Sequence, residues 1–141
     1  MRKLVCLGLL LATTYSLISR MPMIYTHASA LARPGNNTIE GSYEPDERVL
    51  LIDDLITTGG SVRETAETLR NEGLDVRNVM VLIDRGEGAG ARLRRLGINL
   101  TSMLTLETML NYYLSTGRIE DSLHRKCMDF IEAKRAEYEA E

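Results

Sequence analysis

Apolar positions fall into short runs separated by stretches with helical spacing. Leu4–Leu7 reads as a brief buried strand and Leu9–Ser19 as a helix behind it. Pro22 introduces a second apolar run, Met23–Tyr25. From Thr26 to Gly41 the chain turns polar, and Pro34-Gly35-Asn36-Asn37 is a strong turn signal. Segment 27–41 is expected to be a long mobile loop, and loops of that length are often functional.

The pattern sharpens downstream. Val49–Ile52 is a β-branched and leucine run bounded by charge, as a strand buried on both faces requires. Ser61 and Glu64 have the spacing of a capping box opening a helix, with Val62, Thr65, Ala66 and Leu69 as its apolar stripe and Gly73 as its stop. Asn78–Ile83 is the next strand, Ala89–Leu96 a short basic helix ended by Gly97, and Asn99–Leu104 a further strand. Leu106–Ser115 reads as a helix, and Ile119–Tyr138 as a C-terminal helix with Ile119, Leu123, Cys127 and Ile131 on one face. Strands alternating with helices predict an α/β protein with one parallel sheet covered on both faces. No repeat, linker or low-complexity tract divides the chain, so residues 1–141 are expected to form a single domain.

Composition excludes more than it identifies. Seventeen Lys+Arg stand against 20 Asp+Glu, a formal charge of −3, which argues against nucleic acid or an anionic membrane as partner. Cys6 and Cys127 lie far apart with no metal-ligand spacing, which fits a reducing cytoplasm. Arg2-Lys3 followed by Leu4–Ala12, with Ala28-Ser29-Ala30 downstream, resembles a secretory leader. Arg20, Pro22 and Tyr25 fit such a leader poorly, so cytoplasm is the expected compartment and export the alternative.

The chemistry is concentrated in Val49-Leu50-Leu51-Ile52-Asp53-Asp54-Leu55-Ile56-Thr57-Thr58-Gly59-Gly60-Ser61. A buried strand ends in two acids, then turns through hydroxyls and glycines into a helix. Ligands of open α/β sheets gather beyond the carboxyl ends of the strands. Gly59 and Gly60 permit backbone conformations in which successive N–H groups point inward, and a helix start favours an anion. Thr57, Thr58 and Ser61 add hydroxyl donors. Asp53 and Asp54 would repel phosphate, so they suit sugar hydroxyls or a nearby magnesium ion. The expected ligand is therefore a phosphorylated sugar. A nucleotide-hydrolase acidic strand is the competing motif, but no GxxxxGK[ST] loop occurs. A purely structural strand–turn–helix is the other alternative.

This segment resembles the 5-phosphoribosyl-1-pyrophosphate (PRPP) signature of type I phosphoribosyltransferases. Several flanking segments are similar to the orotate branch: Met23-Ile24-Tyr25 with Ile39-Glu40-Gly41, Val81–Arg85 with Glu87-Gly88, Leu96-Gly97-Ile98, and Leu104-Thr105-Leu106. The resemblance implies a type I phosphoribosyltransferase core in which Asp53 and Asp54 hold the ribose hydroxyls and Thr57, Thr58, Gly59, Gly60 and Ser61 grip the 5′-phosphate. It further implies Arg85 and Thr57 on orotate, and no direct protein ligand to metal, because magnesium accompanies the PRPP pyrophosphate. Without the resemblance, Arg85 reads as half of an ion pair with Asp84 or Glu87, and Arg92, Arg94 and Arg95 read as a solvated helix face.

Two departures bear on activity. Where the family carries loop cations, this sequence has His27, Ala28 and Leu31, with Arg33 two residues further on. Set against the family, most of the N-terminal hood is also expected to be missing. The implied function is transfer of phosphoribosyl from PRPP to orotate, weakly or with basic residues lent by a homodimer or partner chain. A non-catalytic PRPP- or nucleotide-binding regulatory module is the alternative.

Overall fold

The computed structural model describes residues 2–6, 8–26 and 39–139. Its elements are β1 (Arg2–Cys6), α1 (Leu9–Ser19), β2 (Met23–Thr26), β3 (Ile39–Glu40), β4 (Arg48–Ile56), α2 (Gly60–Asn71), β5 (Asp75–Asp84), α3 (Ala89–Arg95), β6 (Asn99–Thr105), α4 (Leu106–Ser115) and α5 (Asp121–Glu139). They form one six-stranded sheet in the order β3-β2-β1-β4-β5-β6. All neighbouring pairs are parallel except β2 with β3.

The order places a topological switch point between β1 and β4. From β1 the chain steps outward to β2, then returns to lay β4 on the other side of β1. Side chains alternate along β4: Val49 and Leu51 enter the main core with Val62, Ala66, Leu69, Val79 and Leu93, while Leu50 and Ile52 face Ala12 and Met23. Thus α2 and α3 cover one face and α1 the other, so the connections from β1 and β4 diverge and leave a crevice at their carboxyl ends.

Several expectations need correction. Ile39–Glu40, read as loop, is a short edge strand antiparallel to β2, and residues 27–38 of the expected loop lie outside the described residues. Both sheet faces are not equally covered. On the α1 side Met80 and Met103 remain exposed, and so do Leu10, Leu17 and Ile18 of α1, the helix expected behind the first strand. Few side chains stand opposite this helix, since only Ala12 is fully enclosed. The capping box does not form. Gly59 is the N-cap and makes no side-chain cap, because α2 begins at Gly60 and places Ser61 inside the first turn. In α5 only Ile131 of the expected stripe is buried, while Leu123 is exposed. The stripe of α2 is buried as expected, and Gly73 follows that helix with φ +81°.

Among the described residues no helix is long and apolar enough to cross a membrane.

Candidate functional site

β4 runs four residues beyond the expected Val49–Ile52, so Asp53 and Asp54 lie within the strand, at the register of Val81 on β5. Pairing on both sides holds this strand in place: Cys6 of β1 lies opposite Ile52, and Ile56 lies opposite Asp84. The two acids meet different surroundings. Asp53 is buried and Asp54 exposed. Burial raises the Asp53 carboxyl from 3.8 to about 6; the Asp54 amide, donating to Asp53 Oδ1 at 2.9 Å, pulls it down, and the Asp54 side chain pushes it up.

Gly8, a residue that sequence reasoning missed, fixes the other wall. Its amide donates to the Ile52 carbonyl at 3.2 Å. A Cβ there would stand 2.9 Å from the Asp54 nitrogen and 3.2 Å from the Asp53 carbonyl carbon. The turn leaving β1 therefore presses directly on the peptide joining the acids, and only a residue without a side chain fits. The signal available was its place after the first apolar run, but a contact made 45 residues away in sequence has no local signature.

The turn 57–61 follows β4 without interruption. Thr57 and Thr58 are partly exposed, Ser61 is exposed and Gly59 is buried. Gly59 has φ +79°, and a Cβ on it would touch Leu93 Cγ at 3.4 Å and Ala89 Cβ at 3.6 Å. Gly60, by contrast, has no positive φ and only Thr58 Oγ1 within 4 Å, at 3.9 Å, so the special conformation expected of both glycines belongs to Gly59 alone. Among the described residues, no amide from Thr57 to Ser61 donates to a turn or loop carbonyl. First-turn amides of a helix lack intrahelical acceptors, which leaves those of Gly60 and Ser61 facing an anion-binding position.

Arg85 joins the same end of the sheet. Its amide donates to the Ile56 carbonyl at 3.0 Å, which sets its backbone beside the residue that precedes Thr57. Its guanidinium meets Glu87, Nη2 to Oε1 at 2.7 Å. That pair is one the residues alone suggested, although Glu87 is buried and the contact is not an ordinary surface bridge. Arg94 and Arg95 are exposed, as a solvated helix face requires, whereas Arg92 is half-buried. His27, Ala28, Leu31 and Arg33 lie outside the described residues. The structure thus brings Asp53, Asp54, the Thr57–Ser61 turn and Arg85 to the carboxyl end of the sheet, around β4 and the end of β5.

The model of the phosphoribosyl transferase domain matches residues 24–94. An orotate phosphoribosyltransferase of Caenorhabditis elegans is 43% identical over 101 residues, 72% of this chain and 44% of that protein. The structure of Leishmania donovani UMP synthase superposes with a TM-score of 0.78 at 31% identity, over 94% of this chain and 29% of that one. Orotate phosphoribosyltransferase from Aeropyrum pernix gives a TM-score of 0.71 at 35% identity, over 79% of this chain and 63% of that one. The chain therefore spans less than half the length of the worm relative. The matched region runs from β2 through most of α3 and contains both acids, the turn and Arg85, so this chain belongs to the phosphoribosyl transferase domain family.

Proposed function

We propose that this chain binds PRPP and transfers its phosphoribosyl group to orotate, giving orotidine 5′-phosphate and pyrophosphate. The observation that carries the proposal is the continuous run of two strand-borne acids, an open turn and a helix start at the β1/β4 switch point. In this reading Asp53 and Asp54 accept hydrogen bonds from the ribose hydroxyls. The amides and hydroxyls of Thr57, Thr58, Gly59, Gly60 and Ser61 hold the 5′-phosphate, and charge on the ligand is matched along its length. Arg85 offers a planar donor fork to the orotate carboxylate, with Thr57 beside it. The base, so oriented, attacks the anomeric carbon as pyrophosphate leaves.

Magnesium enters as part of the substrate, on the pyrophosphate. Among the described residues no three His, Cys, Asp or Glu side chains cluster as a metal cage. A pair of carboxylates beside a phosphorylated ligand suits magnesium, which keeps its waters and takes few protein oxygens. Negative charge building on the leaving group also calls for basic side chains, each worth about 10²-fold or more in rate. Against the family pattern this sequence offers His27 and Arg33 there, so turnover is expected to be weak or to draw on a second copy or partner chain. A cytoplasmic setting fits the charge and the two unpaired-by-motif cysteines.

The test is an assay of the purified protein with PRPP, orotate and magnesium. Orotidine 5′-phosphate formation that disappears in Asp54→Ala supports the proposal. Saturable PRPP binding without product would instead support a non-catalytic binding module, for which the sparse loop cations speak. An Asp53→Asn/Asp54→Asn protein that binds PRPP as tightly as the wild type would overturn both readings.

A further inference from the structure

The loop between β5 and α3 contains a buried carboxylate that the proposed chemistry leaves unused. Glu87 is 6% exposed, and its Oε1 has no hydrogen-bond partner. Among the described residues its counter-charge is Arg85, whose Nη2 lies 2.7 Å from that oxygen but with an N–H direction that misses it. A buried carboxylate with a single imperfect partner is costly, and well-packed apolar residues at such a place are often neutral or stabilising. Fold stability therefore gives a poor account of Glu87.

The surrounding loop is pinned on both sides. The Gly86 amide donates to Asp84 Oδ1 at 2.8 Å, and Arg135 Nε of α5 donates to the Gly86 carbonyl at 3.0 Å. A Cβ on Gly86 would meet Arg135 Nη2 and Ile131 Cγ2, both at 3.3 Å, and the residue has φ +78°. Arg85 is bracketed by its own amide bond to Ile56 and by this fixed turn. Its backbone is held, yet a guanidinium on a long stem keeps several torsions free, and ordering it costs entropy.

We propose that Glu87 is a positioning residue for Arg85: its buried carboxylate holds the Nη2 end of the guanidinium by charge and leaves the N–H donors ready for the carboxylate of the base. The inference rests on the assignment of Arg85 to that carboxylate made above. Guanidinium carries five N–H donors, so one anion at Nη2 leaves Nε and Nη1 for a second. Glu87 thereby favours a carboxylated pyrimidine over the same ring without its carboxylate.

The experiment is calorimetric binding of orotate, uracil and PRPP to wild type, Glu87→Gln, Arg85→Ala and the double variant. In Glu87→Gln, orotate should bind about tenfold more weakly, the loss of about 1.4 kcal/mol. PRPP affinity and uracil affinity should stay unchanged. In the Arg85→Ala background, Glu87→Gln should alter orotate affinity less than about twofold, because a residue acting through Arg85 has nothing left to position. Unchanged or tighter orotate binding in Glu87→Gln overturns the inference, and so does an equal loss in both backgrounds. Should Glu87→Gln fail to fold, Glu87→Asp keeps the charge and draws the carboxylate back, and it should show the same selective loss for orotate. Wild-type protein that binds PRPP but no orotate removes the base assignment and the inference together. Orotate binding that ignores Glu87 removes the inference alone.

Discussion

Asp53→Asn should make the protein more stable at neutral pH while weakening its grip on PRPP. The buried carboxyl titrates at about 6 instead of 3.8, chiefly because burial disfavours its charge. Between those values the folded protein holds a proton that the unfolded chain releases, so raising the pH through this window favours unfolding. Below about 4 the group is neutral in both states and costs nothing. Above about 6 it is ionised in both, and the folded state carries the whole penalty, which solvent screening and the neighbouring Asp54 keep below the roughly 3 kcal/mol that about 1.4 kcal/mol for each pKa unit would give. An Asn has no charge to bury, yet its Oδ1 can still accept the 2.9 Å bond from the Asp54 amide. Thermal unfolding of both proteins from pH 4 to 8 measures the difference. Asp53→Asn should melt roughly 5–10 °C higher at pH 7.5 and nearly with the wild type at pH 4. PRPP affinity of the wild type should fall as the pH drops through about 6, because a protonated acid is a poorer acceptor for ribose hydroxyls. A melting difference that stays constant across the pH range refutes the reasoning.

Further substitutions probe the neighbours of the acids. Gly8→Ala should cost about 1–3 kcal/mol by overpacking, since the atoms it would strike are backbone of Asp53 and Asp54, and PRPP affinity should fall with it; urea unfolding and calorimetry would show both. Gly59→Ala should lower stability by about 1–2 kcal/mol through its φ of +79°, readable by the same unfolding assay. Gly60→Ala should leave the melting temperature unchanged or higher, yet weaken PRPP binding by placing a methyl where the phosphate belongs; a lowered melting temperature would count against the assigned backbone. Leu93→Ala, fully buried and packed on Gly59, should cost about 2–5 kcal/mol.

Segments whose burial is local in origin were legible. The α2 stripe of Val62, Thr65, Ala66 and Leu69, the α4 limits and the runs of β4, β5 and β6 all follow from period and bounding turns. Strand ends were read short for a definite reason: Asp53, Asp54 and Asp84 break the apolar pattern, but their backbones continue the ladder to neighbouring strands. Polarity signals where a strand stops being core, not where its hydrogen bonds stop. The two-residue edge strand Ile39–Glu40 is too short to carry a period and depends on β2 for its existence. Ser61 and Glu64 had the spacing of a cap, but the left-handed Gly59 moved the helix start by one residue. Within the site, the acids and turn were visible as a motif. Gly8 was not, because it matters through a partner brought near by folding, and for Glu87 the pairing with Arg85 was visible but its burial was not.

The same geometry explains why a destabilising acid would persist. Asp54 alone, exposed at the strand end, could accept one hydroxyl at little cost to the fold. A second carboxylate on the adjoining residue of a strand necessarily meets the other face or the strand's flank, and at this position that means burial. In the proposed reading, gripping two neighbouring hydroxyls of a pentose needs both acceptors within one residue's reach, and the buried charge would be the cost of the second contact. Glu87 offers a similar arrangement, with an enclosed anion beside a half-buried partner. If Asp53 and Glu87 each hold a ligand-facing group in place, neutralising either should stabilise the empty protein and weaken the liganded one. Opposite signs in those two measurements separate residues kept for binding from residues kept for folding.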